Sequence, residues 1–302
     1  MTLPNFLVIG APRAGTTSLY HYMAQHPQVF MSPIKEPNFF AYLGGSCDRD
    51  VLKTEPTSFP VRSLHEYQNL FRGVRGERAI GEVSPMYLAA GRATAKCIGD
   101  YLPSVKLLAI LRDPIERAYS HYLWRQAEFS EPRTFESAIQ DERDGFAKDS
   151  RFRHCRYVEN GFYCKLLKPF FEVFPRDQIA VFLFDDLQRD PIGLLGGVFH
   201  FLHVDANFSP KVSRRYNVSG IRKSRWIGWL LKKRPSTIRA RRLLPARARD
   251  GLDGLIEFVR GRQLEPPSPL SEEILHMLAH HYRTDVEELQ QLIGRDLSTW
   301  LV

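Results

Sequence analysis

The stretch Phe6-Leu7-Val8-Ile9-Gly10-Ala11-Pro12-Arg13-Ala14-Gly15-Thr16-Thr17-Ser18-Leu19 passes from an apolar run, through a loop bracketed by two glycines, into a helix start. A short apolar run reads as a buried strand, and Thr or Ser at the N-cap opens a helix. The loop amides and the positive end of the helix behind them form a ready anion site. Gly10 and Gly15 stand in register with the phosphate loop G-x-x-x-x-G-K-[ST]. Where that motif has lysine the chain has Thr16, and the only cation in the loop is Arg13. The missing lysine argues against ATP or GTP with magnesium. The cradle suits a nucleotide carrying less charge at its reacting end, although a strand-to-helix turn with no ligand has the same outline.

Working outward, 302 residues suffice to bury a sizeable core. A hydrophobic fraction of 43% and a charged fraction of 25% exclude a disordered chain. No run of about 18 apolar residues suggests a spanning helix. The first strand begins five residues after Met1, which leaves no room for a signal peptide and sets the expectation of a cytoplasmic protein. Cys47, Cys97, Cys155 and Cys164 form no C-x-x-C pair and no zinc spacing; Cys155 and Cys164 could pair, but free buried thiols are the expectation in a reducing compartment.

The net charge of +8 is concentrated. Arg222 to Arg249 carries eleven Lys or Arg and no acid, so the rest of the chain stands at −3. Trp226, Trp229, Leu230 and Leu231 interleave with these cations. Two readings stay open: weak contact with an anionic membrane surface, or a helix packed on the domain with snorkelling cations. Nucleic acid fits poorly, because no base-reading module is present.

Further strands are expected at 29–31, 79–85, 106–111 and 179–184, with helices at 16–25, 91–101, 134–148, 161–174, 191–202 and 271–294. Residues 41–78 read as a long loop with one helix near 63–72, and Asp185-Asp186-Leu187 as a turn. Lys106-Leu107-Leu108-Ala109-Ile110-Leu111 is the central parallel strand. It ends in Arg112-Asp113-Pro114, where Asp113 is the expected N-cap and Pro114 the first helical residue.

Gly10 to Leu19 resembles the 5′-phosphosulfate loop of the sulfotransferase family, whose donor is 3′-phosphoadenosine 5′-phosphosulfate (PAPS). Arg112 and Ser120, eight positions apart across a helix start, resemble that family's 3′-phosphate site. Lys35-Glu36-Pro37-Asn38-Phe39-Phe40 resembles its Lys-Glu-x-x-Phe-Phe segment, and Glu82-Val83-Ser84-Pro85-Met86-Tyr87 its Glu-x-Ser/Thr-Pro-x-Tyr. Asn38 and Val83 stand where heparan-type members carry His and Lys, which sets this chain apart from those enzymes.

The resemblance implies an α/β fold over 1–302, a parallel sheet of four or five strands with P-loop-like topology. Arg13, Ala14, Gly15, Thr16, Thr17 and Ser18 would hold the 5′-phosphosulfate. Arg112, Ser120, Ser219, Gly220, Arg222 and Lys223 would hold the 3′-phosphate. Glu36 would be the general base, helped by partial desolvation. Arg13 would stabilise the leaving group without a metal, and the product would be adenosine 3′,5′-bisphosphate. The acceptor would be a carbohydrate, glycolipid or small metabolite. The bland alternatives are a Lys35–Glu36 surface pair and an Arg112 paired with Asp113 or Glu116. The rival functions are a nucleotide kinase and a non-catalytic nucleotide- or membrane-binding protein.

Overall fold

The computed structural model describes residues 2–45, 60–129, 131–145, 155–213, 221–222, 264–265 and 268–301. In chain order the elements begin with β1 (Phe6–Gly10), α1 (Thr16–Met23), β2 (Val29–Met31), α2 (Phe39–Leu43) and α3 (Leu64–Asn69). Next come β3 (Ala79–Val83), α4 (Met86–Ala90), α5 (Arg92–Tyr101), β4 (Lys106–Leu111) and α6 (Pro114–Phe129). They continue with α7 (Phe135–Arg143), α8 (Tyr163–Val173), β5 (Ile179–Leu183), α9 (Phe184–Arg189) and α10 (Pro191–Phe201). A two-residue pair, β6 (Ile221–Arg222) and β7 (Leu264–Glu265), precedes α11 (Glu272–Ile293).

The main sheet has five strands in the order β2-β3-β1-β4-β5, all parallel. Both of its faces are covered. Leu7 and Ile9 of β1 point into one buried cluster and Phe6 and Val8 into the other, so alternation places every side chain of a continuous apolar strand in a core. From β1 the chain leaves toward β2, and from β4 it leaves toward β5. The reversal falls between β1 and β4. Ligands of open parallel sheets bind in the crevice at such a point, beyond the carboxyl ends of the strands.

The helix ends have local causes. Asp113 Oδ1 accepts from the amides of Ile115 (2.8 Å) and Glu116 (3.0 Å), the expected cap of α6. Ser271 caps α11 at one end and Gly294, in the left-handed region, closes the other. Asp285 of α11 accepts from the amides of Cys164 (2.9 Å) and Lys165 (3.0 Å), fastening the first turn of α8. Cys97, Cys155 and Cys164 are free thiols.

Several expectations are corrected. The N-cap of α1 is Gly15 at φ +92°, not Thr or Ser, and no side chain caps that end. The helix stops at Met23, two residues early. Asp185 and Asp186, read as a turn, occupy the first turn of α9, where carboxylates favour a helix N-terminus. Two five-residue helices, α2 and α4, were not expected. Ser219, Gly220, Lys223 and the basic stretch to Arg249 lie outside the described residues. Arg222 lies within β6, whose backbone pairs with β7 and runs against α6.

Candidate active site

The loop after β1 is shaped by close approach. A Cβ at Gly10 would lie 2.6 Å from Leu88 of α4. At Gly15 a Cβ would lie 2.8 Å from the Phe184 ring, on a backbone that side chains rarely adopt. The amides opening α1 therefore sit at a bare, left-handed entry with no side-chain cap, as an anion cradle requires. Thr16 and Ser18 are buried there, and Ala14 packs in the core.

Arg13, also left-handed at φ +68°, reaches α6 from the loop. Its Nε lies 3.4 Å from Ser120 Oγ, and its guanidinium sits 5.8 Å from the centre of the Trp124 ring. The loop after β1 and the helix after β4, read separately in the sequence, thus meet through one arginine. Trp124 was not read as a site residue. Its signal was its spacing, four residues beyond Ser120 on the same helical face.

Arg112, at the end of β4, donates from Nε (3.0 Å) and Nη2 (2.9 Å) to Glu116 Oε2, one of the pairings left open by the sequence. Its guanidinium stacks 4.9 Å from the Phe184 ring. Phe184 therefore stands between Gly15 and Arg112. Tyr163 donates to the Arg112 carbonyl (2.8 Å) and fixes the backbone of that turn. Burial lifts the Asp113 carboxyl to about 6. His121 is held well below the ordinary range by burial and by Arg117, Arg125 and Arg13, so it is neutral at pH 7. Replacing Arg112 by alanine is expected to weaken adenosine 3′,5′-bisphosphate by about 1.5–3 kcal/mol in a calorimetric titration, the range for hydrogen bonds to a charged group. Unaltered affinity would make Arg112 a structural partner of Glu116 alone.

Glu36 follows β2 and is anchored to β3 by its amide, which donates to the Val83 carbonyl (2.9 Å). Its backbone is left-handed (φ +62°), its side chain is 48% exposed, and it pairs with Lys35. The desolvation expected of Glu36 falls instead on Glu82, which is wholly buried. Ser84 Oγ (2.7 Å) and Tyr87 Oη (2.7 Å) donate to the Glu82 carboxylate, with Tyr67 Oη at 3.3 Å. Burial lifts the Glu82 carboxyl to about 7, although those three donors pull it down; the nearby Glu36 charge adds to the rise. Phe39, Phe40, Tyr157 and Tyr163 are core residues.

A buried carboxyl with a raised pKa contributes stability that is complete below its unfolded value and is lost as pH rises through about 7. Glu82 is thus expected to cost the folded protein about 2–4 kcal/mol at pH 8 relative to pH 4.5. In urea titrations Glu82→Gln should gain on the wild type as pH rises across that window. A constant difference between the two proteins would show that Glu82 ionises as easily folded as unfolded.

Among the described residues no group of His, Cys, Asp and Glu is arranged to hold a metal ion. Carbohydrate sulfotransferase 15 of Rattus norvegicus is 27% identical over 249 residues, covering 67% of this chain and 44% of that protein. Heparan sulfate glucosamine 3-O-sulfotransferase 3B1 of Mus musculus is 29% identical over 201 residues, covering 66% of this chain and 46% of that protein. The chain spans less than half the length of these curated relatives. A solved sulfotransferase from Alicyclobacillus acidocaldarius superposes with a TM-score of 0.73 at 27% identity, over 99% of each chain. The sequence profile described as the sulfotransferase family matches residues 4–209, a span that takes in the loop after β1, Glu36, Glu82, Arg112 and Ser120. With its strand reversal between β1 and β4 and that match across most of its length, the chain belongs to the sulfotransferase family.

Proposed function

We propose that this protein transfers the sulfuryl group of PAPS to a hydroxyl or amine of a carbohydrate, glycolipid or small-metabolite acceptor. The observation that carries the reading is the contact of Arg13 with Ser120 at the reversal between β1 and β4. It links a bare helix N-terminus, fit for one phosphate, to the helix that follows Arg112, where Arg112 and Ser120 would serve a second. A nucleotide phosphorylated at both ends of its ribose can engage two such separate groups, whereas ATP offers a single chain of phosphates. The similarity to a carbohydrate sulfotransferase and to a heparan sulfate glucosamine 3-O-sulfotransferase supports a glycan.

In the proposed reaction Glu36 accepts the proton of the attacking group as its oxygen or nitrogen bonds to sulfur in line. The bond from sulfur to the 5′-phosphate oxygen breaks. Arg13 and the amides of Thr16 and Thr17 receive the charge that builds on the leaving phosphate, the part that magnesium plays in kinases. Arg222 would serve the 3′-phosphate side, a role supported by the contact of β6 with α6, and Ser219, Gly220 and Lys223 are assigned to the same side by the family resemblance alone. A cytoplasmic setting belongs to this proposal, supported by the three free thiols.

Adenosine 3′,5′-bisphosphate should raise the melting temperature well above the shift given by ATP at equal concentration, because only the native state binds it. Equal shifts from the two nucleotides would remove the 3′-phosphate assignment and restore the kinase as the better reading.

A further inference from the structure

Glu36 and Asn38 are both held in the left-handed region, at φ +62° and +53°, in the segment that joins β2 to α2. Neither is glycine, so the surrounding structure must impose that conformation. The Glu36 amide donates to the carbonyl of Val83, at the last position of β3. The Asn38 amide donates to Ser84 Oγ at 3.1 Å, and Ser84 in turn directs its proton to Glu82 Oε2. On the other carboxylate oxygen Tyr87 and Tyr67 converge; Tyr87 Oη also lies 3.5 Å from the Phe40 amide. The Tyr67 ring stacks on Phe39 at 4.6 Å, so α3 clamps the start of α2 from the far side. Apart from the Glu36 amide, which meets the β3 backbone, these contacts lead from the Glu36 segment to one carboxylate inside the core.

We propose that Glu82 is a positioning residue that acts through Ser84 and the Asn38 amide to fix the backbone carrying Glu36. The proposal rests on the reading of Glu36 as the general base. The groups facing Glu82 are Tyr67 from α3, Tyr87 from α4, Ser84 beyond β3, and the Lys35–Glu36 pair on the segment it holds. An ionised Glu82 accepts three hydroxyl protons, which leaves the lone pairs of Ser84 free for the Asn38 amide. A proton on Oε2 would instead be donated to Ser84 Oγ, and the serine hydroxyl would have to turn elsewhere. Protonation of Glu82 thus re-aims the Ser84 hydroxyl, and with it the lone pair that holds Asn38. Glutamine replaces the carboxylate only in part: with Oε1 turned to Ser84 it accepts that proton as a neutral group, and its amide nitrogen then faces Tyr67 and Tyr87, whose hydroxyl protons lose their acceptor.

The test is backbone hydrogen exchange of the full chain, followed at the amides of Glu36 and Asn38. Wild type, Glu82→Gln, Ser84→Ala and Glu36→Gln are compared between pH 6 and 8, after correction for intrinsic rates. Melting temperature and adenosine 3′,5′-bisphosphate binding establish that each variant is folded. Ser84→Ala carries the test if Glu82→Gln does not fold. Protection at Asn38 is expected to fall about 3–10-fold in Glu82→Gln and Ser84→Ala, the effect of one lost hydrogen bond. Amides of β1 and β4 should keep theirs. In the wild type, protection at Asn38 should drop as pH falls through about 7, and Glu82→Gln should show no such step. Unchanged protection in both variants, or a step that survives in Glu82→Gln, overturns the proposal. The two readings fail separately. If Glu36→Gln transfers labelled sulfate at the wild-type rate, the base is another residue, and the exchange result stands as a property of the loop. If Glu36→Gln is slow while the exchange is unmoved, only the positioning role falls.

Discussion

Glu36→Gln is expected to lower sulfuryl transfer by roughly 10²–10⁴-fold, the usual contribution of a positioned general base, while nucleotide affinity stays unchanged. The side chain is 48% exposed, so an acceptor can reach it from solvent. Glutamine keeps its shape and loses the site that takes up a proton. The ion pair with Lys35 does not oppose this role: an exposed pair of this kind is worth little, and an acceptor hydroxyl can displace the lysine. Because Glu36 touches neither phosphate-binding segment in any described contact, the loss should appear in turnover and not in binding of adenosine 3′,5′-bisphosphate. The measurement is transfer of labelled sulfate from PAPS to the fraction of a fractionated lysate that gains label with the wild type. A variant running near the wild-type rate would move the base elsewhere.

How much of this was legible beforehand depended on range. β1 and β4 are continuous apolar runs that end in Gly and in Arg-Asp-Pro; β4 has the bounds its sequence predicts, and β1 runs one residue further, to Gly10. The Asp113 cap and the Ser271–Gly294 ends of α11 were equally readable, since a cap is a relation among near neighbours. The short helices α2 and α4 were not, because five residues carry less than two turns of periodicity. α9 was misread because Asp185 and Asp186 serve equally as turn residues and as the first turn of a helix.

At the site the division was the same. The residues proposed to meet phosphate stand in short motifs, which is why a sequence can nominate them. Which carboxylate is buried was not, because the burial of Glu82 is made by Tyr67 and Tyr87, on segments that fold onto it from opposite sides in sequence. Phe184 and Trp124 escaped notice for a related reason. Each gains its meaning from an arginine far away in the chain, Arg112 and Arg13 respectively.

Arg13→Ala should lower turnover by about 10²–10³-fold, the scale of losing one preorganised group aimed at charge that develops in the transition state. Arg13 is the only cation between Gly10 and Gly15, so no neighbour in the loop can replace it. Its guanidinium is held between Ser120 Oγ and the Trp124 ring, which orients it before any ligand arrives. Such preorganisation matters most in a closed site, where water cannot reorganise around the leaving phosphate. The variant should also lose some affinity for adenosine 3′,5′-bisphosphate, which carries the 5′-phosphate, but less than it loses in rate. Arg13→Lys should recover only part of the rate, because a lysine ammonium lacks the planar fork that can meet the hydroxyl and the phosphate together. Steady-state kinetics on the same labelled acceptor fraction separates the two effects. If the fall in rate is matched entirely by the fall in nucleotide affinity, Arg13 binds the ground state and the transition state alike, and its role in the transfer step is lost.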